Sequence, residues 1–253
     1  MTLEEIRAAS AEHFRRDKLN AENVTETTPG KITDAAKRFA ATLSDVAPVF
    51  VPVVADDHGL YAWCSDGVHE KIKADGGSIV FGWTIWEWPG AMLTAEFHSV
   101  WRDDVGDLFD ITPKPGGQTR ILFVPDHSYA QNFNFDDRPR NRRFNLHANT
   151  DRSAELATMK KGLSDGQQRY EEGRAAKAGL SLDDWLKRKL PSDPLAKAVD
   201  ELIAACAIFE EHFDSLGVAG DVKVDGRFKV LLLQRLAAQE RMKKLLRAEL
   251  PNG

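Results

Sequence analysis

The chain has 253 residues, 42% of them hydrophobic, and a formal net charge of −5, enough apolar content for one large core or two small ones. This mild acidity gives no global attraction to nucleic acid or to an anionic membrane surface, and no run approaches the ~20 apolar residues of a membrane span. Two cysteines, Cys64 and Cys206, make no disulfide framework, and residues 1–7 lack the basic start and apolar block of a secretory signal, so a reducing cytoplasm is the expected compartment.

Apolar residues Leu3, Ile6, Ala9 and Phe14 at helical spacing predict a short amphipathic helix over 2–17, followed by a polar loop to 31. Thr33 or Asp34 caps a second helix over 35–43. The β-branched run 48–54, with two prolines, predicts an edge strand. A loop at 55–59 leads into Leu60-Tyr61-Ala62-Trp63-Cys64. A short helix then runs to Ala74 and is stopped by Gly76 and Gly77. Four of the six tryptophans fall between Trp83 and Trp101, so the densest apolar content is central. Strands are expected there at 78–88, 92–102, 106–112 and 119–124, as an antiparallel meander with Pro89-Gly90 as its first turn. Residues 126–150, rich in Asn, Asp and Arg, are expected to wrap irregularly over the core. Helices follow at 153–175, 181–190, 194–215 and 226–248, with start signals at Ser181 and Ser192 and stops at Gly179 and Gly217. The expected class is α+β: an α+β unit over 1–150, and a helical C-terminal region over 151–253 packing on or beside it.

The segment 95–113 carries the chemistry. Asp103-Asp104-Val105-Gly106 reads as a turn between two alternating runs. A turn centred on position 104 sets His98 opposite Asp110 and Val100 opposite Leu108. Directly opposed residues share a face at roughly 4.5–5.5 Å between Cβ atoms, and a slip of one residue would separate them. Glu96, His98 and Val100 share one face, while Phe97 and Trp101 point to the core side. Asp110 is then placed to fix the tautomer and orientation of an imidazole that looks into a cleft. Upstream, Cys64 stands at a helix start. A helix N-terminus and a neighbouring imidazolium are the two features that lower a thiol pKa. Asp66, in the first turn, would act in the opposite direction.

Cys64 at a helix start, Phe97-His98-Ser99-Val100-Trp101 on a strand and Asp107-Leu108-Phe109-Asp110-Ile111-Thr112-Pro113 on the next resemble the transglutaminase-like group of papain-like cysteine enzymes. The resemblance covers residues 64–113. It implies a papain-like core, in which the cysteine-bearing helix packs on an antiparallel sheet, and a cysteine-dependent amide hydrolase or acyltransferase. Cys64 would be the nucleophile, His98 the general base and acid, and Asp110 the orienting group. The oxyanion would be held by the Cys64 backbone N–H and a second donor, for which Tyr61 and His58 are candidates. Trp63, Trp83, Trp86 and Trp88 could wall the cleft. The implied partner is an amide-containing peptide, protein or small molecule, with no cofactor and no metal.

Two other classes stay open: a non-catalytic binding module on the same fold, and a metal enzyme using His98, Asp110, His127 and His147. Arg138, Arg140, Arg142 and Arg143 form a basic cluster near Phe133, Phe135 and Phe144, but Asp136 and Asp137 can neutralise it, so nucleic acid is not the expected partner. Cys206 lies within an apolar helix and reads as core. The amphipathic stretch 229–248 is expected to pack on a neighbouring helix, and the oligomeric state is left open.

Overall fold

In a computed structural model, which describes residues 1–20, 26–148, 151–216 and 224–249, the tryptophan-rich middle of the chain is a six-stranded antiparallel sheet. Its strands are β1 (Val49–Pro52), β2 (Ser78–Trp88), β3 (Met92–Arg102), β4 (Leu108–Phe109), β5 (Arg120–Pro125) and β6 (Arg142–Asn145). Eight helices are described: α1 (Leu3–Leu19), α2 (Asp34–Ala40), α3 (Cys64–Asp75), α4 (Ser153–Lys161), α5 (Asp165–Lys177), α6 (Leu182–Lys187), α7 (Pro194–Ser215) and α8 (Gly226–Glu249). The class is α+β, with helices gathered in the C-terminal part.

The sheet order is β1-β5-β2-β3-β4, with β6 also on β3. β2, β3 and β4 form the expected meander, but β5 does not continue it. It crosses to the far side of β2 and lies between β2 and β1. Ile121, Leu122, Phe123 and Val124 are each fully buried. Such an unbroken apolar run suits an interior strand covered on both faces, not the outer strand of a meander. β1 takes the edge expected of it.

Two further expectations change. The wrap over 126–150 contains β6, which pairs with Met92–Ala95 of β3. Its sequence, Arg-Arg-Phe-Asn, shows no strand alternation, so its conformation comes from the pairing. The single helix expected over 153–175 is two helices. Gly162 ends α4, and Ser164 starts α5 through a capping box with Gln167. The expected stop at Gly217 lies outside the described residues.

The hairpin register differs from expectation by two residues. Trp101 pairs with Phe109 and Arg102 with Leu108, so Asp110 falls in register with Val100 and not with His98. The turn is wider because the Asp103 carboxylate accepts the backbone N–H groups of Val105, Gly106 and Asp107, with Gly106 at φ +106°. A shift of two preserves the face, so Asp110 remains on the His98 side as its diagonal neighbour. The strand expected at 106–112 is only Leu108–Phe109. Beyond it, Asp110 leaves β3 and exchanges backbone hydrogen bonds with Pro52 and Val54 at the end of β1.

One sheet face carries the main core. Ile79, Phe81, Trp83, Ile85, Leu93, Ala95 and Phe97 meet Phe39 of α2 and Val68 and Ile72 of α3. Each large aliphatic side chain buried there contributes about 1.5–3 kcal/mol. The other face begins apolar, with Val80, Val100 and Phe123, and turns polar at Thr84, Thr94, Glu96 and His98. A separate cluster seats Trp88 and Met92 against Leu195, Val199 and Leu202 of α7 and Ala238 and Met242 of α8. The basic cluster ties these regions together. Arg140 pairs with Asp214 and Arg143 with Glu210, both on α7, while Arg142 donates to the Thr42 carbonyl and lies over Trp83. Asp136 and Asp137, the partners expected from proximity in sequence, make none of these pairs.

Candidate active site

Cys64 is the first residue of α3, and a strained turn delivers it there. Ala62 has φ +68° and is the one non-glycine residue with positive φ among the described residues. That conformation costs an alanine roughly 1–2 kcal/mol and is held from outside. Phe14 of α1 packs edge-on against Tyr61, the Tyr61 hydroxyl donates to Asp17 Oδ2 at 3.0 Å, and His13 lies against Trp63 with ring centres 5.3 Å apart. Gly67 then allows close contact between α3 and the preceding loop, since a Cβ there would stand 2.6 Å from the His58 carbonyl oxygen. No side chain caps the first turn of α3, so the Cys64 N–H has no intrahelical acceptor and is available to an anion.

The sheet leaves a gap for this helix end. On its outer edge β3 is covered by β6 at 92–95 and by β4 at 101–102. Residues 96–100 have no strand partner there, and the start of α3 fills the space. Cys64 meets His98 and both the backbone and hydroxyl of Ser99. Cys64 and His98 are buried, at 6% and 7% exposure.

Behind them the charges alternate. His98 Nε2 lies 3.1 Å from Asp110 Oδ1, as an ion-pair contact without the alignment of a hydrogen bond. This leaves Nδ1 as the ring nitrogen for the sulfur. Asp110 Oδ1 also accepts the Thr112 N–H at 2.9 Å, and Lys114 Nζ stands 2.6 Å from Asp110 Oδ2 with its side chain 8% exposed. Burial pushes the Cys64 thiol up, but the neighbouring His98 imidazolium, together with the contacts from His98 and Ser99, outweighs it and leaves the thiol below its ordinary value. Burial opposes charging of His98, and Asp110 with the Cys64 thiolate raises it above the ordinary imidazole value, against Lys114. Burial likewise opposes ionisation of Asp110, and His98 and Lys114 hold its carboxyl well below the usual range. The resulting order is thiol, imidazole, carboxylate, ammonium, running Cys64, His98, Asp110, Lys114. Asp66 is exposed in the first turn.

A cleft of about 640 Å³ opens over this chain of charge, a size that suits a small molecule or a few residues of peptide. Cys64, His98, Thr112 and Lys114 lie along it, with Tyr61, Thr84, Trp86, Thr94 and Glu96. No family model, curated protein or solved structure matches this chain.

The structure brings together Cys64, His98 and Asp110. Of the six accessory candidates, Tyr61 and Trp86 reach the cleft, and the Tyr61 hydroxyl is committed to Asp17. Burial and that hydrogen bond raise its pKa, which keeps the phenol protonated. His58 packs behind α3 with Nδ1 buried and unpartnered. Trp63 is the N-cap residue and packs at a tilt against His13, and Trp83 is fully buried core with Nε1 toward Asp126. Trp86 lines the cleft, whereas Trp88 belongs to the contact with α7 and α8. His127 and His147 do not join His98 and Asp110. His147 Nε2 contacts the Gly90 carbonyl, and among the described residues no three His, Cys, Asp or Glu side chains converge as a metal site. Sequence reasoning missed Lys114 and Ser99. Lys114 stands directly after the Asp-Ile-Thr-Pro run, and the four-residue interval from Asp110 was its only trace. Ser99 followed from strand alternation alone, which assigned it to the core face.

Proposed function

We propose that the protein is a cysteine-dependent amide hydrolase or acyltransferase with a papain-like, transglutaminase-like core. In this reading Cys64 is the nucleophile, His98 the general base and acid, and Asp110 the orienting group. The buried alternation of Cys64, His98, Asp110 and Lys114 beneath an open cleft carries the reading. A lowered thiol beside a raised imidazole favours the thiolate–imidazolium pair, and the thiolate is the reactive form.

The Cys64 thiolate attacks the amide carbonyl carbon, forming the C–S bond and placing the electron pair on oxygen. The Cys64 N–H receives this oxyanion. Thr112 Oγ1, buried on the cleft wall without a partner, is the second donor in this reading. His98 gives its proton to the amine nitrogen as the C–N bond breaks, leaving a thioester. Water or a second amine then attacks, His98 takes its proton, and acid or new amide leaves with the thiolate restored.

A p-nitrophenyl acetate burst tests this. We expect release of about one p-nitrophenolate per chain, an acetyl mass on Cys64 and its discharge by hydroxylamine. Cys64→Ser should abolish all three. A wild-type protein with no burst and an unmodified Cys64 refutes the reading and leaves a cleft that only binds.

A further inference from the structure

The polar side of the sheet extends beyond His98, and the chemistry above does not use it. Thr84 stands directly opposite Glu96, and Trp86 opposite Thr94. Thr84, Trp86, Thr94 and Glu96 therefore share one face with His98, and all line the cleft. Glu96 is exposed at its mouth. Its Oε2 accepts the Trp86 indole N–H at 2.9 Å, and no cation pairs with it among the described residues. Glu26 lies beside it and accepts the Thr94 hydroxyl at 2.7 Å. Burial and the neighbouring Glu96 and Glu210 raise the Glu26 carboxyl, against Thr94 and Arg143.

Two cations lining the same cleft are already matched, Lys114 by Asp110 and Arg143 by Glu210, while Arg138 lies over the Phe135 ring and donates to the Phe135 carbonyl. A second observation marks the acidic side as incomplete. Thr84 is 1% exposed, faces this cleft, and its Oγ1 has no hydrogen-bond partner. A buried hydroxyl without a partner costs stability unless something completes it.

We propose that Glu96, Glu26, Trp86 and Thr84 form a subsite for a cationic group, a primary ammonium or guanidinium carried by the substrate. The carboxylates supply the counter-charge and Thr84 Oγ1 accepts one N–H, while Trp86, whose ring already has Lys114 Nζ 6.0 Å from its centre, positions the Glu96 carboxylate through its indole N–H. Glu96 and His98 are two residues apart on β3, about 7 Å along the strand. The cation thus sits roughly two residue lengths, about 7 Å, from the amide attacked by Cys64. This rests on the reading of Cys64 and His98 given above, and it names the substrate class as an amide bearing a positive charge about 7 Å from the scissile bond.

Charge-matched thiol reagents test it in Cys206→Ser protein. Aminoethyl, methyl and sulfonatoethyl methanethiosulfonates each transfer a thio group to the Cys64 thiolate, forming a disulfide and expelling methanesulfinate. At low salt the cation should react at least about fivefold faster than the anion, and Glu96→Gln with Glu26→Gln should reduce that ratio to near one. Equal rates in wild type, or a ratio the substitutions do not move, overturns the subsite. A second readout does not need a reactive sulfur. In saturation-transfer NMR on Cys64→Ser protein, Nα-acetyl-lysine amide should show binding that Glu96→Gln removes, and Nα-acetyl-glutamate amide should show none. Equal signals from the two overturn the subsite. Failure of the nucleophile reading appears separately, as slow reaction of the neutral methyl reagent below the ordinary thiol range.

Discussion

Replacing Asp110 by asparagine removes one charge from the buried chain while keeping its shape. Asp110 is fully buried, 3.1 Å from His98 and 2.6 Å from Lys114. At an effective dielectric near 20 each contact is a gross attraction of about 5–6 kcal/mol, opposed by the desolvation of three ions. Removing one partner strands the others, and Lys114 has only 8% side-chain exposure through which to recover water. The expected net loss for Asp110→Asn is roughly 3–5 kcal/mol. Adding Lys114→Met removes the stranded ammonium, so the double variant should be more stable than the sum of the single effects by about 1–3 kcal/mol. The sign with pH follows from the lowered Asp110 carboxyl. Its contribution is present above the unfolded value of ~3.9 and is lost as pH falls through the lower folded value. The deficit of Asp110→Asn should therefore be full at neutral pH and shrink in acid. Urea unfolding followed by tryptophan fluorescence at several pH values measures it. A neutral-pH deficit under about 1 kcal/mol, strict additivity in the double variant, or a deficit that grows in acid refutes the buried alternation of charge.

Gly59→Ala would set a Cβ 2.1 Å from the Ile111 carbonyl oxygen, a backbone atom beside Asp110. We expect a loss of about 1–3 kcal/mol, seen as a lower melting temperature together with slower alkylation of Cys64. Arg143→Ala removes the bidentate pair with Glu210 that fastens β6 to α7. It should cost about 1.5–3 kcal/mol and speed limited proteolysis within 151–216.

Much of this molecule follows from local pattern. β2 and β3 were legible to the residue because two long apolar alternations flank Pro89-Gly90. α7 was legible because Asp193 and Pro194 make a strong start. What failed depends on contacts distant in sequence. β5 could not be placed from its own residues, because burial on both faces is a property of its neighbours. β6 has one apolar residue and exists by pairing with β3. The Cys64, His98 and Asp110 set was found through a register wrong by two, and it survived because an even shift keeps the face. Trp83 and Trp63 were offered as cleft walls on residue type alone. Their positions depend on which face of β2 meets α3 and on how α1 packs against the turn before Cys64. Lys114 carried too little local pattern to be singled out.

The central claim is that Cys64 is a thiolate at neutral pH because of His98. The rate of iodoacetamide alkylation against pH, in Cys206→Ser protein with the product mapped by mass, tests it most directly. We expect a plateau with an apparent pKa well below ~8.5 in the wild-type site, and a return toward or above that value in His98→Ala. A rate that climbs through ~8.5 as for a free thiol, unchanged by His98→Ala, would contradict the account.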